Sequence, residues 1–175
     1  MSKSVKSIPE VTAQEFPISV VTERRSVHDS KWQTHRWSTS NVIAGKVAVT
    51  GEDKPKVLSA EPNRTQYLWA GYYLELHKDD AESYYFNLQA ERPCVFVVCE
   101  ELEDEDGIKP QLVTVSTDEA ASYDEVNEQV YAVPMPPEIY VWLEHYVVEN
   151  YVPSQRKKRK RKNWREQGED SVEKA

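Results

Sequence analysis

The densest chemistry in this chain is cationic. Arg156, Lys157, Lys158, Arg159, Lys160, Arg161 and Lys162 follow one another without a break, and Trp164 and Arg165 come soon after. Like charges this dense repel, so residues 154–175 are expected to be a disordered tail that orders only against something anionic. An RNA, an anionic membrane surface or an acidic protein would each supply the counter-charge. A second candidate is the triplet His35, Arg36 and Trp37, whose imidazole, guanidinium and indole would together form a surface platform for a ligand. The plainer reading takes Trp32 and Trp37 as one core residue and one edge residue. Five positions apart, they face opposite sides of a regular strand unless a bulge intervenes.

The remaining reactive side chains form no catalytic or metal-binding pattern. His28, His35, His77 and His145 lack the spacing of a metal site. Cys94 and Cys99 fall on one expected strand, on opposite faces and about 16 Å apart. A disulfide needs Cα atoms within about 7 Å, so the two read as structural thiols. The five glycines make no phosphate loop and no dinucleotide fingerprint, and there is no Gly-x-Ser-x-Gly elbow. The acidic run EELEDEDG at 100–107 lacks the ligand spacing of a calcium loop and ends in a turn-forming Asp-Gly. No catalytic residue, metal or cofactor is expected.

Length and charge bound the fold that must position these groups. A chain of 175 residues, 39% hydrophobic and 30% charged, has room for one well-packed domain. The net charge of −8 is uneven: residues 1–155 hold 13 basic and 26 acidic side chains, residues 156–175 hold 9 and 4. The body is therefore acidic and the tail basic. No apolar run approaches the roughly 20 residues of a membrane helix, and the first residues carry no apolar secretory segment. These features predict a cytoplasmic protein with a disordered stretch at 1–13 and a single domain at 14–153.

Within that domain the organising stretch is 67–102. Leu68, Ala70, Tyr72, Leu74 and Leu76 alternate as in a strand with one buried face. Ala81, Tyr84, Tyr85 and Leu88 make a helical stripe after an acidic start at Asp79 and Asp80. The apolar run from 94 to 99 then predicts a strand buried on both faces. Before this unit, 16–23 predicts a strand ended by Arg24 and Arg25, 31–45 a second strand or bent pair, and 46–64 a loose hairpin or long loop. After it come strands at 111–115 and 130–133, separated by a short helix over 117–125. Beyond Pro134-Met135-Pro136-Pro137, Ile139, Trp142, Leu143, Tyr146 and Val147 line one face of a last helix, which Pro153 stops. The expected class is α+β: a curved, mostly antiparallel sheet or open β-barrel in meander order, with a short helix between central strands and a C-terminal helix packed on it.

The order of these segments resembles a known family. FP-I-VV-ERR, the two tryptophans, LELHKDDAESYYFNL with RPCVFVV, VTVSTDEA, PMPPEI and KKRKRK are similar to a bacterial family of unknown function. Its genes lie beside those for molybdenum-containing formate dehydrogenase. Some members carry the label molybdopterin-guanine dinucleotide biosynthesis protein A. The resemblance implies a non-catalytic accessory protein in formate dehydrogenase maturation or assembly, acting on a protein partner. The alternative is an RNA- or nucleoid-contacting module working through the tail. A nucleotidyltransferase ranks third, because the chain lacks the glycine-rich phosphate loop such an enzyme needs.

Overall fold

The computed structural model describes residues 11–28, 35–45, 54–103, 107–126 and 128–153. Among these residues seven strands fall into two antiparallel sheets. β1 (Glu15–Ser26), β2 (His35–Ala44), β3 (Lys56–Glu61) and β4 (Arg64–Glu75) form the first, in the order β2-β1-β4-β3. β5 (Cys94–Glu101), β6 (Ile108–Thr114) and β7 (Gln129–Pro134) form the second, in the order β6-β5-β7. α1 (Ala81–Gln89) joins the sheets, α2 (Thr117–Glu125) lies between β6 and β7, and α3 (Pro137–Asn150) ends the described domain. This is the α+β class read from the sequence. The strands, however, close no barrel, and meander order fails because β1 pairs with both β2 and the distant β4.

β1 is central, and Phe16 through Glu23 are all buried. It also runs past its expected end at Arg24. Those arginines stay in the ladder because β2 and β4 both continue opposite them. The expected loose segment at 46–64 contains β3, closed onto β4 by the two-residue turn Pro62-Asn63.

β4 departs most from simple alternation. Ile18 pairs with Tyr72 but Val20 pairs with Trp69, so Ala70 and Gly71 together oppose Ser19. Gly71 takes φ 89°, a left-handed value that a Cβ would strain. The bulge switches the inward set. Trp69 enters the core before it, Leu74 and Leu76 after it, while Leu68 is buried outside that cluster.

The main core lies between the sheets and beneath two helices. Val20, Val42, Trp69 and Leu74 meet Val95, Val97, Cys99, Val113 and Val133, with Tyr84, Ile139, Leu143 and Tyr146 closing it. The helical stripes behave as read. Ala81, Tyr84 and Leu88 are buried on α1, Ile139, Leu143, Tyr146 and Val147 on α3. Trp142 is half-buried and donates its indole N–H to the Thr12 carbonyl at 2.8 Å. Two polar contacts stitch the sheets. The Tyr72 hydroxyl donates to the Pro110 carbonyl at 2.7 Å, and Thr39 Oγ1 lies 3.6 Å from Cys99 Sγ.

Both cysteines are free thiols, Cys94 half-buried and Cys99 fully buried. Burial pushes the Cys99 thiol up to about 11, against a small lowering by Thr39. Only about one Cys99 in a thousand is then thiolate at pH 8, and the thiolate is what reacts. A maleimide is expected to label Cys94 in the native protein, and Cys99 only after denaturant is added. Rapid native labelling of a Cys94→Ser variant would contradict this placement.

Candidate interaction surface

Strand alternation sorts the polar end of the first sheet into two faces. Along β1, Thr22 and Arg24 turn inward, while Glu23 and Arg25 turn outward. The inner side is aromatic. Trp37 stacks at 5.6 Å on Tyr67, Arg24 Cζ sits 5.9 Å from the Trp37 ring centroid, and Trp69 donates to Thr22 Oγ1 at 3.0 Å.

The outer side is built around one buried carboxylate. Glu23 is 2% exposed, a placement that costs heavily unless the charge is paired. Arg64 donates through Nε to Oε2 at 2.7 Å, Gln66 donates through Nε2 to the same oxygen at 3.1 Å, and Arg25 Nε donates to Oε1. Burial raises the Glu23 pKa, but the hydrogen bonds and charges of Arg64 and Arg25 outweigh it. The carboxyl is held below its usual 4.5.

The cross-strand register then places Arg36 opposite Arg25, and Arg25 opposite Arg64. Three guanidinium side chains form one row over three neighbouring strands. At the usual strand spacing it is about 10 Å wide. Arg25 and Arg64 remain 62% and 41% exposed, and Arg36 is exposed.

This geometry divides the sequence-derived candidates. His35 and Trp37 share the inner face of β2, and Arg36 points the other way, so the triplet makes no common platform. His35 Nδ1 is buried without a hydrogen-bond partner among the described residues. Trp32 and the tail cations Arg156, Lys157, Lys158, Arg159, Lys160, Arg161, Lys162 and Arg165 lie outside the described residues. Glu23, Arg25 and Arg64 escaped the sequence reading. The pair Arg24-Arg25 was visible, but the strands facing it were not.

A second polar feature lies at the seam of the sheets. Tyr72, Tyr73, Glu75, His77, Gln111 and Glu119 line an open cleft of about 290 Å³, and His77 Nε2 is 4.0 Å from Glu75 Oε2. Both side chains of that pair are more than 60% exposed, which leaves their contact screened by water. Among the described residues no group of three or more His, Cys, Asp or Glu side chains is placed to hold a metal ion. Among the same residues no helix is long and apolar enough to cross a membrane.

No curated protein and no solved structure matches the chain. A family model does match residues 17–161, which include both sheets except Glu15 and Phe16, the three described helices and the arginine row. The chain therefore belongs to the family described as Protein of unknown function (DUF3305).

Proposed function

We propose that this protein is a non-catalytic accessory factor in the maturation or assembly of a molybdenum-containing formate dehydrogenase, and that it works by binding a protein partner. The observation that carries the binding role is β3. This strand pairs only with β4 among the described residues, so its outer edge has no ladder partner there. Five of its six positions are exposed, and Val57 and Leu58 keep about half their surface in water. Soluble proteins usually blunt such an edge, because unpaired N–H and C=O groups recruit another strand. An extended segment of the enzyme would add beside β3, with backbone bonds giving affinity and Val57 and Leu58 giving apolar contact. The link to formate dehydrogenase rests on the resemblance of the sequence segments given above.

The test uses purified formate dehydrogenase and the full chain. Co-elution at micromolar concentration is expected. The V57K/L58K variant should weaken it at least tenfold and leave the melting temperature within about 2 °C, since both side chains are already half exposed. Failure of the unmodified chain to bind the enzyme, or equal binding by the variant, refutes the reading.

A further inference from the structure

Sheets avoid rows of like charge, because side chains directly opposite on neighbouring strands approach to about 5 Å and repel. Arg36, Arg25 and Arg64 stand in such a row, on a chain whose formal net charge is −8. Glu23 offsets one of the three charges from below. Glu61 stands opposite Arg64 in the β3 register but makes no ion pair with it. The row therefore keeps an excess of positive charge. Arg25 and Arg64 are anchored through Nε, which leaves their terminal amino groups to donate elsewhere. Arg36 forms no ion pair with the described residues. A row that costs folding energy, held in place by a buried carboxylate, is organised for an anion that arrives from outside.

We propose that this row binds an acidic peptide, a partner segment carrying two or more Asp or Glu side chains. Guanidinium groups hold carboxylates by paired, charge-assisted hydrogen bonds, and a row about 10 Å wide accommodates two carboxylates. The surrounding outer face favours a peptide over a nucleic acid. The next positions toward the sheet centre are Ser38, Gln66 and Ser59, with the buried Glu23 between the first two, and none of them is aromatic. Single-stranded nucleic acid is held by stacking its bases on aromatic rings. The aromatic groups of this region, Trp37, Tyr67 and Trp69, take part in the inner face instead. Glu23 acts as a positioning residue, because it fixes two of the three guanidinium groups. The row adjoins β3 but does not use Val57 or Leu58, so the two sets of variants can fail independently.

The experiment measures fluorescence anisotropy of a labelled hexaglutamate peptide, and of a labelled six-nucleotide uridine RNA, with full-length protein. The basic tail is the same in every variant and contributes equally to each. Arg36→Gln should weaken peptide binding about three- to fivefold with no change in melting temperature, as it touches no described acidic group. R25Q/R36Q should weaken it at least tenfold and flatten its salt dependence, while changing RNA binding less than threefold. Glu23→Gln is the discriminating variant. It makes the patch more positive, so charge alone predicts tighter binding, whereas loss of positioning predicts weaker binding, which is the result expected. No peptide binding by the unmodified chain, equal affinity in R25Q/R36Q, or a larger loss for RNA than for peptide overturns the proposal. Tighter binding by Glu23→Gln overturns the positioning role.

Discussion

Replacing Asn87 with leucine is expected to lower the unfolding free energy by about 3–5 kcal/mol, because three backbone groups, one buried and two half-buried, lose their partner together. Asn87 is 2% exposed on α1. Its Nδ2 donates to the carbonyls of Cys94 and Val115, both at 2.8 Å, and its Oδ1 accepts from the Cys94 N–H at 3.0 Å. One side chain thus ties α1 to the first residue of β5 and to the residue just beyond β6. Leucine fills the volume and satisfies none of the three groups. Asn87→Asp should be comparably damaging at neutral pH, since a carboxylate accepts from Cys94 but repels both carbonyls. The control is Phe86→Ala on the same helix, 57% exposed and expected to cost less than about 1 kcal/mol. Urea unfolding with an unchanged slope reads the difference. A loss below about 1 kcal/mol for Asn87→Leu would mean that the bridge does not hold the helix.

The same seam shows what the sequence could and could not reveal. The apolar stripe on α1 was legible because burial of Ala81, Tyr84 and Leu88 follows the helical period. Ser83 and Asn87, also buried on α1, were not. Polar residues become core residues only through partners distant in sequence. Ser83 Oγ meets Ser116 Oγ at 3.1 Å and Thr117 Oγ1 at 2.9 Å, more than thirty residues away. β5 and α3 were legible for the same reason as the stripe, being local apolar patterns. The two-sheet layout was not. It follows from β1 pairing with β4 some fifty residues onward, where a rule favouring consecutive neighbours pointed to a meander. The bulge at Gly71 was hidden too. One extra residue reverses which positions face inward, and a lone glycine gives only a weak hint of it. The arginine row combines both obstacles, since Arg25, Arg36 and Arg64 come from three strands and meet only through register.

That register also makes the Glu23 site respond unequally to substitution. Removing the acid in Glu23→Ala leaves two arginines already 62% and 41% exposed, free to turn into water, at a cost of about 1–2 kcal/mol. Removing both bases in R25M/R64M leaves a carboxylate 2% exposed with only Gln66 for a partner among the described residues, at a cost of about 3–5 kcal/mol at pH 7. The unmodified chain and R25M/R64M also differ in the sign of their pH dependence. In the unmodified chain the folded-state pKa of Glu23 lies below its ordinary 4.5, so its contribution is present above that value. It is lost as pH falls through the lowered one. In R25M/R64M desolvation is no longer outweighed, and the folded pKa rises above the unfolded value. The buried carboxyl then takes up a proton on acidification and the penalty shrinks. Urea unfolding at pH 7, 5.5 and 4.5 should therefore show the gap between the two proteins closing toward about 1–2 kcal/mol. A gap constant over that range would mean that Glu23 is not the group left uncompensated, and that the two arginines contribute by packing rather than by charge.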